Sequence, residues 1–303
     1  MPAKAKTTQV NLRLTAALKA AAEKAAGRDH RSLTSLIEKL LTEYLQTTPS
    51  LDDWHQRGRA RFLRLAVEHK LAGEITKGTP AKSLCIKTAN GDRIGANRLG
   101  RELQLIQGEL GSRFKHAAYF HPYTRRGLVP YFTADSELNR AGEILECFAP
   151  TPLVETTDFW RVSPAGAAFD MRPYTEDRDE FRQQGLEPGK WLSPYFLARD
   201  LEIFVHFAEL LAARFPTAET VEFRCEWHGL MNRHAAAGEP GRFWPPANIS
   251  RTDHCNTRGE WRVALLRSAW PDIVSALGGP VVRLFDPTFD YSPDWIKSQS
   301  PPP

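Results

Sequence analysis

The chain has 303 residues, enough for two or three domains, and its 42% hydrophobic and 25% charged residues are ordinary for a globular protein. No apolar run approaches the roughly 20 residues of a membrane-crossing helix, and the polar, basic start lacks the apolar stretch of a secretory signal. The net charge of +4 is unevenly spread: residues 1–48 hold eight Lys+Arg and four Asp+Glu, which leaves 32 of each for residues 49–303. The positive field therefore sits at one end, where a polyanion would be met, and the larger remainder is neutral.

The first element in chain order is a short alternating segment. Gln9, Asn11 and Arg13 are polar, while Val10, Leu12 and Leu14 are apolar. A period of two places the sets on opposite faces of a strand. The polar face suits base edges, because Asn and Gln pair bidentately with adenine and Arg with guanine. So small a strand needs a partner chain to fold. Thr15 can then cap a helix over 16–26, rich in Ala, Leu, Lys and Glu, and Gly27 suits its C-terminal turn. Ser32 can cap a second helix over 33–46, whose Leu33, Leu36, Ile37, Leu40, Leu41, Tyr44 and Leu45 have the spacing of a buried face. Residues 47–50 end it.

On these residues the segment 7–48 resembles a ribbon-helix-helix domain of the Arc/MetJ/CopG class. The Gln-x-Asn-Leu-Arg strand stands at Gln9–Arg13, and an Arg-Ser-x-x-Ser turn at Arg31-Ser32-Leu33-Thr34-Ser35, nearest to the Arc branch. The resemblance covers about a seventh of the chain. It implies a dimer whose paired strands form an antiparallel ribbon in the major groove of double-stranded DNA. Gln9, Asn11 and Arg13 would then read bases. Lys6, Arg31, Ser32, Thr34 and Ser35 would hold phosphate, in keeping with the affinity of helix N-termini for anions.

Residues 49–81 are expected to be a linker and a connecting helix, the helix over 54–71. Its Arg57, Arg61 and Arg64 share one face and are expected to face water. The pattern then changes to mixed strands and helices over 82–296. Segments 83–88 and 93–96 flank Asn90-Gly91, a hairpin signal. Helix is expected over 98–110, and strands over 115–120, 129–133 and 144–148. A long helix over 194–215 would start with Ser193 as cap and Pro194 in its first turn. Residues 221–227 alternate cleanly, with Val221, Phe223, Cys225 and Trp227 on one face and Glu222, Arg224 and Glu226 on the other. A strand over 260–266, a helix over 271–277 ending before Gly278-Gly279-Pro280, and a disordered tail over 297–303 complete the reading.

A weaker resemblance joins residues 120–285 to the C-terminal region of bacterial proteins carrying a Schlafen-type AlbA domain. It rests on Asp158-Phe159-Trp160-Arg161-Val162-Ser163-Pro164-Ala165-Gly166 with Phe169, Arg172, Tyr174, Glu176 and Asp177. Val221-Glu222-Phe223-Arg224 through Gly229 and Arg233 extend it. It implies an α+β module shared by regulators and defence-associated proteins and brings no ligand with it.

Chemistry-bearing motifs are sparse. No Walker A sequence, nucleophile elbow or H-E-x-x-H occurs, and the glycines around Gly95 and Gly100 do not match a dinucleotide fingerprint. Cys225 with His228, and His254 with Cys255, lack the paired spacing of a zinc site, and the four cysteines Cys85, Cys147, Cys225 and Cys255 show no disulfide framework. Glu222, Glu226 and Asp253 could serve as magnesium-binding acids, but strand carboxylates are commonplace. No metal, cofactor or enzymatic activity is expected. The aromatic and Arg-rich region 160–244 suggests an effector site formed by Arg172, Tyr174, Arg224 and Trp227, since Arg favours phosphate or carboxylate and aromatic rings stack on bases. The expected whole is a dimeric or higher-order ribbon-helix-helix followed by a large α+β domain. It would act in the cytoplasm at the nucleoid as a sequence-specific transcriptional regulator, a repressor. Its C-terminal domain would sense a small molecule, nucleotide or protein partner, without membrane contact. The alternative is a defence- or toxin–antitoxin-associated protein whose C-terminal domain is an enzyme or neutralising surface and whose DNA binding is autoregulatory.

Overall fold

The computed structural model describes residues 15–28, 32–37, 50–70, 78–114, 131–135, 140–149, 158–177, 187–235 and 248–300. The chain divides into two compact units, 1–47 and 48–303.

In the first unit, helix α1 (Ala16–Arg28) follows Thr15, whose Oγ1 accepts from the Leu18 amide at 3.4 Å. A second helical start covers residues 33–37. There Ser32 Oγ accepts from the Ser35 amide at 3.1 Å and the Ser32 carbonyl from the Leu36 amide at 2.9 Å, the bonds expected of an N-terminal cap. Both helices begin at the residues the sequence marks as caps. The ribbon over 9–14 lies outside the described residues.

The second unit opens with α2 (Leu51–Glu68). Ser50 caps it by accepting from the Asp53 amide, and Asp52 and Asp53 lie at the positive end of its dipole. Leu51, Trp54, His55, Gly58, Phe62, Leu65 and Ala66 form a buried stripe at helical spacing. This helix is therefore no mere connector: it is a layer of the second unit. Arg61 does not simply face water either, since its Nε and Nη2 donate to buried Glu146 at 3.0 and 2.9 Å.

An antiparallel sheet forms the middle layer. Its strands are β1 (Ala81–Thr88), β2 (Tyr131–Asp135), β3 (Arg140–Ala149), β4 (Asp158–Val162), β5 (Ala167–Met171), β7 (Ala218–Trp227) and β9 (Cys255–Arg262), in the order β2-β3-β4-β5-β1-β7-β9. Two short strands, β6 (Trp191–Leu192) and β8 (His234–Ala235), pair separately and in parallel. The far face of the sheet is covered by α3 (Ala96–Arg113), α4 (Pro194–Ala212), α5 (Trp270–Arg283) and α6 (Pro293–Gln299). Helix α4 is buried over most of its surface, Glu202 and His206 included, as a helix enclosed by other elements is. It begins at Ser193, whose Oγ accepts from the Phe196 amide, with Pro194 in the first turn.

Several expectations are corrected. Asn90-Gly91 does turn the chain, with Gly91 at φ 66°, but it makes no hairpin. Asp92 takes the Thr217 amide and hydroxyl at 2.7 Å, and the chain enters α3, while β1 pairs with β5 and β7 instead. The strand expected over 260–266 lies earlier, at Cys255–Arg262, and a 3-10 turn takes Val263–Leu265. Helix α5 runs through Gly278-Gly279-Pro280, and Gly278 makes room for the Tyr291 ring, since a Cβ there would lie 2.8 Å from the Tyr291 hydroxyl. Residues 297–299 belong to α6 rather than to a loose tail: Ser292 caps the helix, and Ser300 Oγ donates to Glu202 at 3.0 Å. The strand expected over 115–120 lies outside the described residues.

Candidate functional site

Strand alternation sends Lys82, Leu84 and Ile86 of β1 toward α4, and Ala81, Ser83 and Cys85 toward α2. Lys82 is fully buried, and a charge there is tolerable only if paired. Its Nζ lies 3.3 Å from Asp170 Oδ2, directly across the ladder on β5, and it donates to Asp200 Oδ2 on α4. Arg172 closes the set with Nη2 2.8 Å from Asp170 Oδ1 and Nε within 3.3 Å of both carboxylate oxygens. The two cations hold the Asp170 carboxyl below the usual range although burial pushes it up. Two bases and two acids thus form a neutral cluster between sheet and helix.

A recess opens over this cluster. Arg172, Tyr174, Glu176, Phe196, Asp200 and Trp227 line it, together with Pro80, Pro173, Thr175, Leu192 and Leu197. Its cavity volume is about 20 Å³, with a mouth open to solvent. That is room for about one water, and a larger guest must lie in the mouth or move side chains. The Trp227 Nε1 donor is buried without an acceptor among the described residues. Glu176 is buried, and desolvation raises its carboxyl to about 7, although the Ser193 amide donates to it.

One wall is locked by Arg233. Its Nη1 and Nη2 grip Asp177 at 2.9 and 2.6 Å, Nε donates to the Gly229 carbonyl, Nη1 also reaches the Trp191 carbonyl, and its plane lies 4.3 Å from the Tyr174 ring centroid. The Tyr174 hydroxyl donates to the His228 carbonyl at 2.9 Å. The two stretches that carry the weaker resemblance, one around 158–177 and the other around 221–233, thus close on each other here.

On the opposite face α2 is held by a second polar cluster. Ser83 hydrogen-bonds to His55 Nδ1. His55 Nε2 lies 3.3 Å from Glu226 Oε2, a close electrostatic contact without hydrogen-bond alignment. The same Oε2 accepts from Arg59 at 3.0 Å and lies 3.1 Å from His228 Nε2, while Arg224 Nη2 bonds the other oxygen at 2.5 Å. These partners, led by the close contacts with His228 and His55, hold the Glu226 carboxyl far below its ordinary range. Burial lowers His55, and the Phe169 ring packs on it at 5.5 Å. Ser, His and Glu in contact suggest a nucleophile, but Ser83 is fully buried in mid-strand between two paired neighbours. A nucleophile must reach its substrate, so this trio fastens α2.

The residues singled out from sequence divide accordingly. Arg172, Tyr174 and Trp227 meet at the recess. Arg224 does not: it faces α2 and bonds Asp52 at 2.5 Å and Glu226, because it stands three residues from Trp227 on a strand. Glu222 is paired with Arg258 and Lys87, so neither it nor Glu226 is an open metal-binding acid. Cys225 points into the apolar core, its thiol pushed up to about 12 by burial, whereas His228 turns toward Glu226. Among the described residues no three His, Cys, Asp or Glu side chains group to hold a metal ion, and no helix is long and apolar enough to cross a membrane. Ser32 and Thr34 are exposed at the helical start of the first unit and Ser35 is half-buried. Lys6, Gln9, Asn11, Arg13 and Arg31 lie outside the described residues. Lys82, Asp170 and Asp200 escaped the sequence reading. The available signal was a lysine in phase with Leu84 and Ile86, an inward position that demands a carboxylate.

No protein-family model matches this chain, and no curated protein or solved structure is significantly similar to it.

Proposed function

We propose that this chain is a sequence-specific DNA-binding regulator, a repressor, that works as a homodimer or higher oligomer at the nucleoid. The observation that carries this reading is the N-terminal pattern. A polar–apolar alternation with Gln9, Asn11 and Arg13 in one phase, the pattern of a strand, precedes a capped helix and a second helical start at Ser32, within the 48 residues that hold the whole net charge. Two such strands paired between chains make a ribbon that fits the major groove, and the surplus of bases supplies the phosphate attraction. The neutral second unit supplies control. Its recess gathers Arg172, Tyr174 and Trp227 over a charge cluster, which supports sensing of a small effector rather than contact with bases.

Genome-wide footprinting would identify the operator, and fluorescence anisotropy on that site tests the reading. Arg13→Ala is expected to weaken specific binding by about 1–3 kcal/mol and to relax selectivity at one base pair. Ser32→Ala should weaken binding to all sequences alike, as loss of a phosphate contact does. Unchanged specific affinity in Arg13→Ala overturns the ribbon assignment.

A further inference from the structure

His55 and the recess lie back to back through the sheet, and the same three strands carry both. On β1, Ser83 bonds His55 while its neighbour Lys82 belongs to the charge cluster. On β5, Phe169 packs against the His55 ring while Asp170 pairs with Lys82 and Arg172. On β7, Glu226 faces His55 and Arg59 while Trp227 lines the recess, and the carbonyl of the next residue, His228, is held by the Tyr174 hydroxyl. Consecutive strand residues point to opposite faces, so each strand ties one contact of α2 to one contact of the recess. A close-packed interior transmits strain, so a shift of one such residue is passed to its neighbour.

Helix α2 is the element suited to respond. It starts at Leu51, just beyond the boundary of the N-terminal unit at residue 47. It is also the helix that covers this face of β1, β5 and β7, held there by a short apolar stripe and by the polar contacts of His55, Arg59 and Arg61. Docked and released positions of α2 would be the two states that a ligand biases, provided that it binds them unequally.

We propose that the recess controls the docking of α2 through the paired residues Lys82/Ser83, Asp170/Phe169 and Trp227/Glu226, so that rearrangement at Asp200 or Tyr174 loosens or tightens the helix that leads from the N-terminal unit. This rests on the regulator reading for its purpose, but not for its test. Hydrogen exchange followed by mass spectrometry on the full chain, without DNA or ligand, reads α2 directly, with α5 as the internal control for global opening. Asp200→Asn removes one carboxylate partner of Lys82, and Tyr174→Phe removes only the bond to the His228 carbonyl. In each, exchange in residues 51–68 is expected to rise at least about fivefold, the lower end of ordinary coupling between sites, while α5 keeps its protection. In a His55→Gln background the added effect of either variant should vanish. Unchanged α2 protection in both recess variants, an equal rise in α5, or full additivity with His55→Gln would each overturn the coupling. Failure of operator binding by the intact chain would overturn the regulator reading alone.

Discussion

On one face of the sheet, helices α3 to α6 bury a continuous apolar cluster that runs from Leu84 through Phe204 and Phe223 to Ile296; on the other, α2 covers β1, β4, β5 and β7 over a smaller cluster centred on Trp54, Phe62, Phe159 and Phe169. Charge is placed differently as well. Toward α4, Lys82, Asp170 and Arg172 on the sheet side form one compact, mutually paired set with Asp200. Toward α2 the charged groups spread along the helix from Asp52 to Arg61 and reach Arg224 and Glu226 on β7 and Glu146 on β3. The first face supplies most of the apolar burial that makes the unit cohere. The second fixes where one helix sits, since paired charges contribute geometry more reliably than stability.

The sharpest way to break this contrast is to cut into each face. Phe204 is fully buried against Phe223, with ring centroids 5.8 Å apart. Phe204→Ala should cost about 3–5 kcal/mol and lower the urea midpoint of the whole second unit in a single transition. Gly58 tests the other face: a Cβ there would lie 2.5 Å from the Phe169 ring. Gly58→Ala should cost about 1–3 kcal/mol through overpacking. Its added hydrogen exchange should concentrate in residues 51–68, whereas exchange spread evenly over the sheet would show that the two faces open together.

Acid separates the faces by sign. Burial lowers the His55 pKa below its ordinary 6.5, so the fold favours the neutral ring. That contribution is present above about pH 6.5 and is lost as the pH falls through the folded value. Glu226, also lowered, loses its contribution in the same direction at still lower pH. Glu176 on the recess face behaves oppositely: its pKa is raised from 4.5 to about 7, so its contribution is full below 4.5 and declines as the pH rises to about 7. Urea midpoints measured between pH 4.5 and 8 should therefore fall more steeply toward alkali in His55→Gln, and more steeply toward acid in Glu176→Gln, than in the parent chain. The same slope in all three proteins would contradict both assignments. The smallest effect is expected at Asp52, which is about half exposed at the edge of α2 and pairs with Arg224 and Arg258. Asp52→Asn should change stability by less than about 1 kcal/mol in calorimetry.

Local rules reached far along this chain. Ser193-Pro194 announced the start of α4, Ser32 that of the second N-terminal helix, and the alternation through Val221–Trp227 gave the two faces of β7, because caps and periodicity depend on neighbours a few residues away. That alternation already separated Arg224 from Trp227; grouping them by chemical type rather than by face misplaced Arg224. What tertiary structure alone decided were the partners. Asn90-Gly91 makes a turn in any context, but β1 found β5 and β7, dozens of residues away, where Asp170 of β5 meets the buried Lys82. Helix α2 was legible as a helix, but which of its residues are buried was not, and nothing local says that the face they meet is the back of the recess. Pairings of this kind are selected by the burial of charge and the closing of a core, which depend on the whole chain at once.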